Sequence, residues 1–514
     1  MQNSATFVRK EMLQAQEPPT SERGAIKWVR ENLFSSALNS VLTIVGLVAA
    51  FLVIKAALPW LLHSVWNANS LGECRDIIAA RYGEGATGAC WAVVRERWHQ
   101  YLFGFYPQEL FWRPTMAFGL MFVALAPVLY YGNQRVNTIM TGVVSVLTIL
   151  ALIGISLAFP QTIGGVEAGA LAFLVAALVL GGLTAVSWLA PALAVLVAAL
   201  VLGGLTAVAW LAPKRLLYFT LLYPAVGFYL LWGGSIWGPI GTLAGFAVLV
   251  VVYNLTKGQL GVVVGTGAGV VAAAIWWLAI QSHVTGALHS VLPLGTAHVD
   301  SDEFGGFLLA FVIGVTAIAA SLPMGILLAL GRRSDMPLIK ALSVGFIEFI
   351  RGVPLITMLF TASLLLQYFL PPRSNFDLIL RVIILVTFFS AAYIAEVIRG
   401  GLAALPRGQY EAADALGLDY WQAQRLIVMP QALKISIPGI VSSFIGLFKD
   451  TTLVALVGLH DPLQGVTKVV RAAIEWKGIY WEPYIFVGLI FFACCFSMSR
   501  YSMYLERKLK RDHR

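Results

Sequence analysis

Apolar stretches long enough to cross a bilayer recur along this chain, and they fix its solvent before any motif is considered. A helix needs ~20 predominantly apolar residues to span the hydrocarbon core, and Ala37–Leu62 is the first stretch to qualify. The composition agrees: of 514 residues, 59% are hydrophobic and only 12% are charged, with a mean hydropathy of +0.80. The fold class expected is therefore an all-α polytopic membrane protein, with lipid as its main surroundings. The formal charge of +9 does not point to nucleic acid. Basic residues gather at span ends, at Arg332 and Arg333 and again at Arg507, Lys508, Lys510, Arg511 and Arg514. That is the pattern of cytoplasmic flanks, not of a binding stripe.

In chain order, residues 1–36 carry Arg9, Lys10, Arg23, Lys27 and Arg30 and read as a cytoplasmic segment without a cleavable signal peptide. The first span covers 37–62, and a polar loop domain over 63–113 is expected on the outer side. It holds Cys74 and Cys90, which are either a disulfide, permitted by an oxidising compartment, or two buried thiols. Cys494 and Cys495 sit in a late span and read as packing residues. Additional spans fill 114–280, near Pro114–Tyr131, Ile139–Phe159, Leu216–Trp232, Pro239–Tyr253 and Gly261–Ile280, with Arg135 marking a return inside. Within them lies a tandem repeat: 170–191 reads ALAFLVAALVLGGLTAVSWLAP and 192–213 reads ALAVLVAALVLGGLTAVAWLAP. The copies differ only at Phe173/Val195 and Ser187/Ala209, which marks a recent duplication. Counting both copies and five later spans gives thirteen, yet basic residues at both termini require an even number. The expectation is that one copy does not cross, leaving twelve spans and placing Lys214, Arg215 and Lys257 inside. A polar link over 281–304 should be external. Its His283, His289 and His298 are irregularly spaced and have no companion Cys or paired carboxylates, so no metal site is expected.

The longest polar interruption in the last third is Glu411–Pro430, EAADALGLDYWQAQRLIVMP. Helix formers run from Gln409 to Leu416. Gly417 ends that helix, because Gly enters the left-handed cap conformation without strain. Asp419 with Gln422 reads as a capping box opening a second short helix, and Pro430 is expected to close it. Two short helices at a Gly elbow would project as a knuckle on one membrane face.

This stretch resembles the cytoplasmic loop of permease subunits in bacterial ABC importers. The family pattern is E-A-A, three residues, G, nine residues, then I-x-L-P. Here it is Glu411, Ala412, Ala413, Gly417, Ile427 and Pro430, with Met429 in place of Leu. In that family the loop, here 407–430, couples to the ATPase subunit. The likeness extends through GGFLLAFVIGVTAIAASLPMGILLALGRRS, IEFIRGVPLITMLF, SAAYIAEVIRGGLAALPRGQYEAADALGL and FIGLFKDTTLVALVGLHD. It is similar to the polar amino-acid branch, and the external Cys-bearing loop resembles the M-type permease of general L-amino acid importers. The resemblance implies that 305–514 is a five-helix type I permease core, preceded by about seven additional spans. It also implies ABC ATPase subunits, a second and different permease chain, and a periplasmic amino-acid-binding protein as partners. The expected location is the bacterial inner membrane with both termini cytoplasmic.

Polar groups at membrane depth cost several kcal/mol unless paired, so each is a functional candidate. Ser390, Tyr393, Glu396 and Arg399 recur at three-residue steps and read as one face, either lining the translocation path or ending a span at the inner surface. Glu396 and Arg399 can pair at i,i+3. Lys449, Asp450, Thr451 and Thr452 interrupt another apolar run and are path candidates. Glu348 and Arg351, again at i,i+3, are gate candidates or a plain ion pair.

No G-x-x-x-x-G-K-[ST] occurs, and neither H-E-x-x-H nor G-x-S-x-G suggests hydrolysis. The chain is not expected to be an enzyme or to bind a cofactor; ATP and Mg belong on a partner ATPase. The alternative reading is an ion-coupled secondary transporter of small polar solutes. That would need a midplane ion site in inverted repeats.

Overall fold

The computed structural model describes residues 24–130, 139, 162–163, 166–167, 216–365 and 377–511. The N-terminal residues through Arg23, the tandem repeat, Arg135, Lys214, Arg215 and nearly all of Ile139–Phe159 lie outside the described residues. Among the described residues, eight helices are long and apolar enough to cross a membrane.

Helix α1 (Gly24–Asn32) leads to α2 (Ala37–Leu62), where the Ser36 hydroxyl accepts the Asn39 N–H at 3.2 Å as N-cap. No residue of α2 is buried, which suits a helix apolar on every side and surrounded by lipid. Next come α3 (Leu71–Tyr82), α4 (Ala92–Phe103) and α5 (Trp112–Leu129). Beyond the repeat, α6 (Leu216–Trp232) precedes an antiparallel pair, α7 (Trp237–Gln259) and α8 (Val264–Val291). Gly261, at φ 81°, makes the reversal, and the Trp276 indole N–H donates back to the Gly241 carbonyl at 2.8 Å. Helix α8 runs on into the expected link at 281–304 as far as Val291, past His283 and His289. Val284, Ala287, Leu288 and Val291 continue a 3.6-residue apolar period that the interleaved histidines obscure.

The C-terminal region contains α9 (Gly306–Arg332), α10 (Pro337–Gly352), α11 (Leu355–Phe360) and α12 (Leu378–Ala403). The span entered at Leu355 continues as a π turn through Leu365; residues 366–376 are outside the described residues. After these come α13 (Gly408–Ala415), α14 (Tyr420–Val457), α15 (Gly465–Ala472) and α16 (Trp481–Arg511).

Contacts divide the chain into two compact units, Met1–Trp98 with Val469–Phe486, and His99–Lys468 with Val487–Arg514. The smaller unit therefore combines part of the 63–113 segment with a stretch from the other end of the sequence. In it Cys74 and Cys90 form a disulfide with Cα atoms 5.9 Å apart. Val65 bridges to Cys90 in parallel register, and the Cys90 amide donates to the buried Glu482 carboxylate at 2.8 Å. Trp476 is fully enclosed.

The larger unit is organised around α9 and α12. Lipid is as apolar as Leu, so burial here does not draw helices together; close packing and interhelical hydrogen bonds do. Small residues of α9 supply the close approach: Gly314, Ala317, Ser321, Gly325 and Ala329 are all buried at helical spacing. A β-carbon on Gly325 would lie 2.7 Å from the Ile394 side chain of α12. At the end of the bundle where α9 begins, three backbones meet. Gly104 bridges to Phe304, Gly305 bridges to His460, and the Gly306 amide donates to the His460 carbonyl at 2.7 Å. A side chain on Gly104 would overlap the Gly305 backbone, and Gly306 adopts φ 59°.

Candidate functional site

The knuckle is built by the local rules its sequence suggests. Gly417 takes φ 70°, and its amide reaches the Asp414 carbonyl while the Leu418 amide reaches that of Ala413. The left-handed turn thus satisfies carbonyls that α13 leaves open. The Asp419 carboxylate accepts the Gln422 amide N–H at 2.8 Å, and the Gln422 side-chain oxygen accepts the Asp419 N–H at 3.2 Å. Gln431 donates to the Gln409 side chain at 2.8 Å, tying α13 to α14. Pro430 does not close the second helix. A π turn over Gln424–Val428 carries the chain into the long helix, and Pro430 sits beside its start. The widened turn accommodates a residue that has no N–H to donate.

Of the motif residues, Glu411, Ala412, Gly417 and Pro430 are exposed and Ile427 is half-buried, but Ala413 is fully buried. The surface of the knuckle also presents apolar groups that the motif does not name. Leu416 is 72% exposed and Trp421 66%, with Leu426 and Tyr420 beside them in sequence also exposed. Their polar neighbours masked them in the sequence, where a Trp inside DYWQAQ is the one available signal.

The second assembly is a charge cluster at the ends of α9, α10 and α12. Glu396 is its hub. Its carboxylate lies 2.9 Å from Arg399, 3.0 Å from Arg332 and 3.6 Å from Arg351, and its side chain is only 15% exposed. Arg332 also holds Glu348 at 2.8 Å. The Arg351 guanidinium lies 5.4 Å from the Tyr393 ring centre, in cation–π range. Glu348 and Arg351 do not pair with each other among the described residues, contrary to their i,i+3 spacing. Each faces a different helix, where stronger partners wait. The Arg332 hydrogen bond and the surrounding arginines hold the exposed Glu348 carboxyl below its ordinary range.

The expected polar face of α12 is divided. Steps of three residues drift about 60° each around a helix, so Ser390 and Arg399 end up on opposite sides. Ser390 is buried and donates to the Ser321 hydroxyl of α9 at 3.1 Å, whereas Tyr393 and Arg399 are exposed. Further on, Lys449 is exposed and Asp450 half-buried, and neither makes an ion pair among the described residues. The Thr451 and Thr452 hydroxyls donate to the carbonyls of Phe448 and Lys449.

Comparison with known proteins places this architecture. Residues 321–511 match the family described as binding-protein-dependent transport system inner membrane component. The glutamate/glutamine/aspartate/asparagine transport system permease protein BztC of Rhodobacter capsulatus is 59% identical over 512 residues, covering 100% of both chains. The chain belongs to the amino-acid ABC transporter permeases. The inner membrane amino-acid ABC transporter permease protein YhdY of Escherichia coli K12 is 32% identical, over 94% of this chain and 93% of its own. A shorter relative, the glutamate/aspartate import permease protein GltK of Escherichia coli O6:H1, is 31% identical over 40% of this chain and 91% of its own. The permease thus shares its N-terminal half with full-length relatives rather than carrying it as an appended segment. The ion-coupled reading is not favoured.

Proposed function

We propose that this permease works in the bacterial inner membrane, with both termini cytoplasmic, in an importer for acidic amino acids and their amides. The observation that carries the substrate class is the full-length, 59% identity to a permease named for glutamate, glutamine, aspartate and asparagine. ATP and Mg are bound by separate ATPase subunits, as the missing phosphate-binding loop in this sequence suggests. The knuckle is the contact that transmits their closure, and the exposed Leu416 and Trp421 are its anchors, since fully desolvated aromatic and aliphatic groups dominate interface energies. A second permease chain completes the translocation path, which Tyr393, Glu396, Lys449, Asp450 and Thr452 border, with Ser390 and Thr451 buried behind them. A periplasmic binding protein delivers substrate and favours the outward-facing state. Glu348 and Arg351 belong to the inner gate.

Site-specific crosslinking from Leu416→Cys and Trp421→Cys tests the reading, run beside uptake of labelled glutamate and glutamine. A crosslink to an ATPase-sized chain that changes with ATP is expected. Glutamate accumulation without any such partner would return the ion-coupled reading.

A further inference from the structure

The larger unit contains a cavity of about 570 Å³ that the transport reading does not use. It lies between α5 and α6 on one side and α9 and α12 on the other. Its wall is apolar: Phe118, Met121, Phe228, Phe311, Val312 and Ile383 are representative.

Three features decide what fits. The first is depth. On α9 the lining runs from Leu308 to Thr316 and on α6 from Trp232 back to Tyr223, which is about 12 and 14 Å at ~1.5 Å per residue. Half of a hydrocarbon core of about 30 Å is about 15 Å. The cavity therefore spans one leaflet and stops near the midplane. The second is polarity. All polar lining except Tyr223 and Thr316 gathers where α9 and α12 begin and α6 ends: His298, Asp300, Ser301, Asp377 and the Trp232 indole. The third is charge. The rim carries two carboxylates, and among the described residues neither Lys nor Arg lines the cavity. His298 lies 3.4 Å from Asp300, Trp232 donates to Ser301 at 2.8 Å, and Asp377 caps α12 through the Leu380 amide at 2.9 Å. Asp300 stays largely open to solvent.

From this geometry we infer that the cavity holds one acyl chain of an amine-headed phospholipid, phosphatidylethanolamine, from the leaflet on the side of residues 298–301. Its ammonium sits against Asp300 and Asp377 at the rim. The lipid fills the seam between α5/α6 and α9/α12, so it acts as a bound structural partner of the permease. An anionic lipid would bring its net charge against the same carboxylates and is disfavoured there.

The test uses the full chain in nanodiscs of equal phosphatidylethanolamine and phosphatidylglycerol, with a trace of one or the other carrying a photoactivatable group in mid-chain. Phosphatidylethanolamine is expected to label peptides of α5 and α9 that line the cavity, and unlabelled phosphatidylethanolamine to compete. Val312→Trp, which fills the space, should abolish that labelling while leaving labelling of α2, none of whose residues is buried among the described residues, unchanged. Asp300→Asn, on the exposed rim, should lower the preference for phosphatidylethanolamine by about fivefold, the scale of one charge near a headgroup. Equal labelling by phosphatidylglycerol in the wild type would overturn the headgroup assignment. Labelling that survives Val312→Trp, or that unlabelled lipid does not displace from the wild type, would overturn the site.

Discussion

Arg332, the last residue of α9, reaches Glu396 on α12 at 3.0 Å, and through that one carboxylate the ends of three helices are held together. Arg351 and Arg399 close on the same group. Removing the hub leaves three guanidiniums facing one another with, among the described residues, only the exposed Glu348 to offset them. Glu396→Gln should cost about 1–3 kcal/mol, the penalty for leaving partly buried charges without their partner. Arg399→Gln, at an exposed position, should cost under about 1 kcal/mol. Melting of the detergent-solubilised permease measures the difference; equal effects would show that the cluster has no hub.

Gly417 offers a cleaner test of the knuckle. Among the described residues nothing lies within 4 Å of where its β-carbon would be, so the penalty for a side chain there is that of the left-handed backbone. Gly417→Val should cost about 1–2 kcal/mol locally and Gly417→Asn less. Uptake per assembled complex should fall in the order Asn then Val. Equal uptake by both variants would separate the turn from transport.

The smaller unit depends on its crosslink. Cys74 and Cys90 are 16 positions apart, and closing a loop of that length is worth about 3 kcal/mol. The Cys74→Ser, Cys90→Ser double variant should make residues 63–98 readily cleaved by added protease, with the larger unit's fragments unchanged. Protease resistance equal to the wild type would mean that the Glu482 contact suffices.

Acidification should loosen the α9–α10 contact. The folded value of Glu348 is lowered from an ordinary 4.5 by Arg332. Below 4.5 the unfolded chain takes up protons more readily than the folded one. Its contribution is therefore complete above 4.5 and is lost as pH falls through the lowered folded value. Glu348→Gln should flatten the part of the stability profile that lies below pH 4.5. An unchanged acid limb would assign it to other carboxylates.

How much of this was legible in the sequence depends on how local the cause is. The bounds of α2 and α6, the elbow at Gly417 and the Asp419–Gln422 box are all set within a few residues, and apolar run length or capping chemistry reveals them. Pro430 misled, because the π turn over Gln424–Val428 just before it accommodates the missing N–H and nothing in the local sequence marks that turn. Glu396 was readable as a partner of Arg399, but Arg332 and Arg351 reach it only once α9 and α10 lie against α12. Ser390 was grouped with Tyr393 by spacing, and the drift of the helix turned it towards Ser321 instead. Burial of Ala413 within the motif is likewise a tertiary fact.

The bond from the Cys90 amide to Glu482 joins residues 392 positions apart, and this sets an order of events during synthesis. At about 5–20 residues per second, the early half of the small unit emerges roughly 20–80 s before Glu482 exists. Throughout that interval Cys74 and Cys90 are already available to each other. The crosslink can keep the waiting half in shape, and Glu482 arrives late to a site already formed.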